Sequence, residues 1–333
     1  MTRLSVPVRP RVTMLDVAER AGVSKASVSR FIGDDRGLLS DVIATRIACA
    51  IDDLGYRPNQ MARGLKRGRT RLIGMLMADI RNPYSVAVMH GVETACRRHG
   101  YSLVVCNTDR DPEQERQQLQ AMRAYNVEGV IVNTLGHHLD ELRELQRELP
   151  MVLVDRKVAD LPSDLVGLDN RMAVGMALDH LHQQGYRHLA LVSEAVDGTS
   201  SRTERIEAFA QRTGGPVFYT GANLGEQLRT FLASADVGPK ALFCANGVAA
   251  LACTLALREL GSLALEDVGL IALDDLDWYP LVGNGITALA QPTHAIGVQA
   301  LECLLKRLQG AQGPAQTFHF TPDLIIRGST PPR

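Results

Sequence analysis

The stretch T-M-L-D-V-A-E-R-A-G-V-S-K-A-S-V-S-R-F-I-G, Thr13 to Gly33, decides the reading of the N-terminal part of the chain. Thr13 has the side chain of a helix N-cap, and Asp16 follows three residues later, where a carboxylate closes a capping box. Val17, Ala18 and Ala21 repeat at helical spacing and give a short apolar face. Gly22 stops this helix, and Val23 plugs the turn. Ser24 caps a second helix that carries Lys25, Ala26, Ser27, Ser29 and Arg30 outward and Val28, Phe31 and Ile32 inward. Two short helices around a glycine turn, the second small and basic at its start, make a helix-turn-helix. Its second helix has the size and chemistry to enter a major groove N-terminus first.

The alternative, two ordinary amphipathic helices of a larger core, is disfavoured by where the charges lie. Residues 1–71 carry 14 Lys or Arg against 7 acids, a net +7, and the remaining 262 residues carry −8. A basic module on an acidic body is the footprint of a phosphate-binding head joined to a second function. Ser40 is placed to cap a third helix, Asp41 to Leu54, with Val42, Ile43, Ile47 and Ile51 turned toward the first two. The DNA-binding head therefore spans 13–58. Asn59 caps a very short helix, Gln60 to Lys66, which is marginal in water on its own. Residues 59–71 are expected to be a hinge helix and linker that fold on binding.

From residue 72 onward the pattern changes to alternating strands and helices, which imply right-handed βαβ units in parallel sheets. Two successive sets of about five units give two similar lobes within 72–333. The expected fold is a small all-α helix-turn-helix head plus an α/β body of two similar parallel-sheet lobes. Ligands of such sheets bind at the carboxyl ends of strands.

At 333 residues the chain is long enough for two or three domains. It contains no phosphate-loop, GxSxG or HExxH motif, and Gly283 to Ala288 fits a dinucleotide fingerprint only by letter, with no helix after it. His137-His138 and His180-Leu181-His182 lack paired metal-ligand spacing. No catalytic residue, metal or cofactor is expected. Six cysteines without CxxC spacing read as reduced core thiols. No apolar run reaches the length of a membrane span, and the N-terminal segment lacks an apolar export region, so a cytoplasmic protein is expected.

Polar groups gather at the expected strand ends: Tyr84 and Ser85, Asp155 and Arg156, Arg202 and Arg205, Asn246, and Asp274 with Trp278. Each alone is equally well a cap or a solvated loop. Together they make a ligand site. Carboxylates and amides beside an aromatic platform suit a polyhydroxylated ligand, and two arginines hold an anionic group in bidentate fashion.

The runs D-V-A-E-R-A-G-V-S-K-A-S-V-S-R and G-Y-R-P-N-Q-M-A-R-G-L resemble the head and hinge of the lactose/galactose-repressor (LacI-type) family of bacterial transcription regulators. N-P-Y, V-E-G-V-I-V, V-G-L-D-N, E-D-V-G-L-I-A-L-D-D and I-T-A-L-A-Q-P echo its body, so the resemblance covers nearly the whole chain. It implies that Lys25, Ala26 and Arg30 face base edges, and that Thr13, Ser24, Ser29 and Asn59 contact phosphates. Leu65 matches the hinge leucine that wedges into the minor groove, and Ala62 the small residue that permits close approach. In the body, which resembles periplasmic sugar-binding proteins, Tyr84, Ser85, Arg205, Asn246, Asp274 and Gln291 match the effector lining; Arg202 and Trp278 are looser placements.

Three positions depart from the family pattern: Gly247 where an acid is usual, Ala272 where Gly is usual and Gly33 where Asn is usual. Loss of the acid at 247 removes a neutral-sugar contact and suits an acidic ligand. The body is also similar to that of the 2-ketogluconate-responsive repressors of pseudomonads. These implications add up to a homodimer without a tetramerisation helix, bound to double-stranded operator DNA and controlled by a sugar or sugar-acid effector. Rival readings are a corepressor logic, a solute-binding protein feeding a transporter, and an enzyme on an α/β scaffold.

Overall fold

Two compact units divide the chain between Thr70 and Arg71 in the computed structural model, which describes residues 12–57, 69–196, 198–234, 238–261 and 268–333. In the first unit, α1 (Met14–Ala21), α2 (Lys25–Ile32) and α3 (Asp41–Leu54) enclose a small core of Val17, Ala18, Ala21, Val28, Ile47, Ala50 and Tyr56. The capping box is complete: the Thr13 backbone N–H and hydroxyl donate to Asp16 Oδ2 at 2.7 and 2.8 Å, and the Asp16 N–H donates back to Thr13 Oγ1 at 3.3 Å. Gly22 ends α1 at φ 61°, and a Cβ there would lie 2.5 Å from Arg46 Nη2.

The inner face of α3 departs from the expected one at Val42, which is exposed, while Ile43, Ile47 and Ile51 pack as expected, with Ala50 and Leu54, in the core of the head. Those positions recur at one to two helical turns, and Val42 stands about 100° round the axis from Ile43. Ser40 begins α3 without a side-chain cap bond. Cys49 is exposed on the same helix, against its expected place in a core, whereas the other five cysteines are buried.

The second unit holds two six-stranded sheets. In one, β1 (Leu72–Met77), β2 (Ser102–Asn107), β3 (Gly129–Val132), β4 (Met151–Val154), β5 (Asp164–Leu168) and β11 (Thr317–Phe320) lie in the order β11-β5-β4-β3-β1-β2, all parallel. In the other, β6 (His188–Ser193), β7 (Val217–Tyr219), β8 (Lys240–Cys244), β9 (Gly269–Leu273), β10 (Thr287–Ala290) and β12 (Asp323–Ile325) lie in the order β12-β10-β9-β8-β6-β7. Here β12 runs antiparallel to β10, and the other pairs are parallel. Within each lobe the order reverses once, between β1 and β3 and between β6 and β8, which is where ligands of such sheets bind.

The lobes are interleaved, not successive as the strand count suggested. The chain leaves the first sheet after β5, builds β6 to β10, returns for the last long helix and β11, and crosses again to β12. That late helix, α11 (Thr293–Leu308), is the reason. It packs in the first lobe against α4 (Pro83–Arg98), sharing a core of Val88, Val92, Ile296, Ala300 and Leu304 with Ile73, Ile131 and Val152 of the sheet. The approach is backbone to backbone: a Cβ on Gly91 would stand 2.3 Å from the His294 carbonyl oxygen, and one on Gly297 2.2 Å from that of Val88. Arg307, near the end of α11, donates to both oxygens of Asp164 at 2.8 Å and so ties the helix to the start of β5. Gly297→Val drives a branched side chain into this contact, and a loss of about 3 kcal/mol is expected. Calorimetry of the variant should show a melting point several degrees lower; an unchanged value would mean the two helices separate freely.

Candidate functional site

In the head, Ser24 caps α2 by accepting the Ser27 N–H at 3.1 Å, with the two hydroxyls 3.0 Å apart. Val28 is wholly buried beneath the helix, and Lys25, Ala26, Ser29 and Arg30 are exposed. No acid lies in the first turn of α2, so its free N–H groups and Lys25 present an uncompensated positive end. Thr13 and Ser24 both use their hydroxyls within caps; they fix the N-termini of α1 and α2. Asn59, Ala62 and Leu65 lie outside the described residues.

In the body, three neighbouring residues after β8 tie together nearly every polar group expected at the strand ends. The Ala245 carbonyl oxygen accepts Arg205 Nη1 at 2.9 Å. The Asn246 side chain donates to Glu194 Oε2 at 2.6 Å, while its oxygen accepts the Ala249 N–H and caps α10 (Gly247–Glu259). The Gly247 N–H donates to Asp274 Oδ2 at 2.9 Å.

Each of these bonds opens a cluster. Arg205 also donates to Asn170 Oδ1 at 2.8 Å, and its Nη2 stands 3.9 Å from Asp155 Oδ1 of the other lobe. Asp155 accepts the Ser201 hydroxyl at 3.4 Å. Asp274 holds Gln291 Nε2 at 2.6 Å. Glu194 takes Arg202 Nη2 at 2.7 Å and, from the first lobe, Arg110 Nη1 at 2.6 Å. Arg110 in turn lies 3.3 Å from Asp79. The two lobes are thus joined across the strand ends by ion pairs and hydrogen bonds.

The electrostatics are those of buried charge. Burial alone would raise the Glu194 carboxyl, but Arg202, the Asn246 amide and Arg110 hold it below its ordinary value of 4.5. Burial pulls Arg202 down against the pull of Glu194, and the like charges of Arg156 and Arg110 add to the fall. Asp274 is raised, because its burial outweighs the Gly247 N–H, Arg205 and Gln291.

Some polar atoms here have no hydrogen-bond partner. The Tyr84 hydroxyl is buried, near enough to Asp155, Arg205, Asp274 and Arg156 to feel their charges. Gln291 Oε1, Asn133 Oδ1 and Arg156 Nε are likewise buried without a hydrogen bond, although Arg156 Nε stands 3.3 Å from Asp155. Such atoms retain hydrogen-bonding capacity that the fold leaves unused.

The strand ends therefore bring together Tyr84, Asp155, Arg202, Arg205, Asn246, Asp274 and Gln291, with Ser85 buried beside Tyr84 in the first turn of α4. Trp278 packs edge-on to Tyr279, ring centroids 4.6 Å apart, over the core of the second lobe. Sequence reasoning missed Glu194, Arg110 and Asn170. Nothing marks them locally, since Arg110 and Glu194 meet across 84 residues. It read Gly247 only as a lost acid. The Gly247 backbone N–H donates to Asp274, and a Cβ there would press on the end of the Leu276 side chain at 2.6 Å.

His180 is a core hydrogen-bonder, 2.8 Å from Thr330 Oγ1. Among the described residues no three His, Cys, Asp or Glu side chains converge as a metal site, and no helix is long and apolar enough to cross a membrane.

Residues 13–59 match the bacterial regulatory proteins of the lacI family, and residues 178–330 match a periplasmic binding protein-like domain. The HTH-type transcriptional regulator PtxS of Pseudomonas aeruginosa is 65% identical, over 98% of both chains. The chain belongs to the lacI family of transcriptional regulators. Another relative, the HTH-type transcriptional regulator KdgR of Bacillus subtilis, is 40% identical over 95% of this chain and 97% of its own. A crystal structure of the Lac repressor bound to ONPG shares the fold, with a TM-score of 0.83 over 96% of this chain and 100% of that one at 22% identity. The lacI-family chain described here is thus a DNA-binding regulator, with a helix-turn-helix head and a two-lobed body.

The Glu194 bracket carries a pH signature. A carboxyl held below its unfolded pKa contributes stability at pH above that unfolded value, and the contribution is lost as pH falls through the depressed folded one. Removing Arg110 raises the folded value, so in Arg110→Met the loss should begin at higher pH than in the wild type. Melting temperature followed from pH 7 down to about pH 3 reads the difference, and superposable curves would mean that the interlobe pair adds nothing.

Proposed function

We propose that this chain is a dimeric repressor that binds a pseudo-palindromic operator through two helix-turn-helix heads and releases it when a small sugar acid, 2-ketogluconate first among the candidates, enters between the lobes. The observation that carries the reading is the set of buried, unpartnered polar atoms of Tyr84, Asn133 and Gln291, drawn from both lobes. Tyr84 lies near Asp155 and Asp274, and Gln291 is bonded to Asp274, carboxylates suited to hydroxyls. Arg110 and Arg202 converge on one carboxylate in the same place, Glu194, which is the donor set an acidic ligand requires. Tyr84, Ser85, Asp155, Arg202, Arg205, Asn246, Asp274, Trp278 and Gln291 are assigned to the effector. Operator binding places the protein in the cytoplasm with the DNA.

On the DNA side, Arg30, Lys25 and Ala26 read base edges from the exposed face of α2, and Leu65 wedges the operator centre. Loss of Arg30 as Arg30→Ala should cost about 1–3 kcal/mol and relax one operator position; an unchanged sequence preference would reject the assignment. A ligand shifts the DNA equilibrium only by its different affinity for the two states. Titration of the operator complex with 2-ketogluconate, gluconate and neutral hexoses is therefore the direct test. Release by the sugar acid alone supports the reading, tightening would give corepressor logic, and indifference to every sugar acid would overturn the effector.

Dimerisation is supported by α10, where Leu251 and Leu255 are 47% and 51% exposed one turn apart, and by Leu281, which is 81% exposed. Single exposed leucines are ordinary, but a helical pair is a docking stripe. Leu251→Glu should sediment as a monomer and lose operator affinity, because two linked half-sites bind more tightly than either alone. A dimer that survives this charge would move the interface elsewhere.

A further inference from the structure

Glu194 is a carboxylate already engaged by three donors. Oε1 takes Arg110 Nη1 at 2.6 Å, and Oε2 takes both Arg202 Nη2 at 2.7 Å and Asn246 Nδ2 at 2.6 Å. Guanidinium and amide groups converging from both lobes form a receptor for a carboxylate, and the one they hold belongs to the protein. It stands at the end of β6, beside the reversal of strand order in the second lobe, where ligands of such sheets sit. The Ser193 hydroxyl donates to the Glu194 carbonyl oxygen at 2.9 Å.

This geometry bears on residues expected to grip an acid. The Arg202 side chain ends on Glu194 and on the Ala195 carbonyl oxygen, and the Asn246 amide ends on Glu194. A ligand carboxylate that uses Arg110, Arg202 or Asn246 must take them from Glu194. The exchange replaces one carboxylate by another on the same donors, so the arginines are never left uncompensated. Uncompensated buried charge is what makes the loss of one ion-pair partner costly.

We propose that Glu194 is a resident stand-in for the effector's carboxylate: it occupies the acid's receptor in the unliganded cleft, and the acid must displace it to bind. Glu194 thereby sets the selectivity between acids and neutral sugars. It holds the cleft's affinity for acids below what Arg110 and Arg202 would give alone, and it weighs little on a ligand with no carboxylate. The inference rests on the sugar-acid reading.

The test compares wild type and Glu194→Gln by calorimetric titration with 2-ketogluconate and with D-fructose, which has the same carbon skeleton with a hydroxymethyl group in place of the carboxylate. Glutamine keeps the shape and loses the charge. Acid binding should tighten about tenfold, as expected when a competing charge leaves a desolvated pair, while any D-fructose affinity stays within about twofold. Equal weakening for both ligands would overturn the proposal and make Glu194 a hydroxyl acceptor. Unchanged acid affinity would overturn it and leave Glu194 a lobe fastener.

If neither form binds 2-ketogluconate or gluconate, the sugar-acid reading falls, and acetate then tests the receptor by itself. A rise in melting temperature with acetate in Glu194→Gln, absent in the wild type, upholds the stand-in role; equal responses reject it. Should the glutamine variant not fold, Glu194→Asp keeps the charge but falls one methylene short of its three donors. The proposal then requires tighter acid binding than wild type, and weaker or equal binding would sink it.

Discussion

The body depends on one topological constraint: the chain passes between the lobes three times, and each passage leaves from the carboxyl end of a strand. It leaves β5 at Leu168, β10 at Ala290 and β11 at Phe320. Because every strand but β12 is parallel within its sheet, these exits gather at the ends where the polar groups stand. Two cleft residues come directly from the exits, Asn170 just after β5 and Gln291 just after β10. The close contact of Gly91 and Gly297 matters for the same reason. It seats α11 in the first lobe and obliges the chain to return there after completing most of the second.

Interlacing of this kind limits how the lobes can move but does not hold them closed. That falls to polar bonds across the cleft: Arg110 with Glu194, Ser201 with Asp155, Lys157 with Glu204 and the Lys157 N–H with Ser200. Ion pairs of this sort contribute little net stability, because desolvation offsets most of the attraction. Their use lies in being exchangeable. A packed apolar seam would resist a polar ligand, whereas charged groups that already have partners trade them at small net cost.

Much of the head was legible because its signals are local. Thr13 with Asp16, Gly22 and Ser24 each determine the backbone within four residues, and the structure places them at caps. The long strands of the body and the helices between them were legible for a similar reason, being continuous apolar runs separated by amphipathic ones. β5, β10, β11 and β12 were not. They span three to five residues, too few for a periodicity to stand out, and β11 and β12 pair with strands that are not their sequence neighbours. Interleaving was invisible for the same cause: α11 looks like one more helix of the second lobe until Gly297 is seen against Gly91. In the cleft, arginines and aspartates at strand ends were readable one at a time. What each holds depends on contacts across the sequence, and Asn246 illustrates it: recognised as a ligand residue, it is found bonded to a glutamate that no motif announces.

The two lobes repeat one backbone plan, and the repeat isolates what is particular to this chain. Asp155 after β4 and Asp274 after β9 adopt the same left-handed conformation, φ 69° and 71°, with each N–H bonded to the next strand over. The Thr108 N–H donates to the Met77 carbonyl oxygen at the end of β1, and the Thr220 N–H donates to that of Ser193 at the end of β6. By that correspondence Ala78 in the first lobe is the counterpart of Glu194 in the second. The fold needs no side chain at this point, since alanine serves in one of its two copies. The glutamate is therefore not a requirement of the strand end but an addition to it, and it is long enough to collect an arginine from the opposite lobe. A carboxylate that the scaffold can do without, but that fastens the lobes and occupies the donors of the cleft, belongs to ligand selection more than to folding.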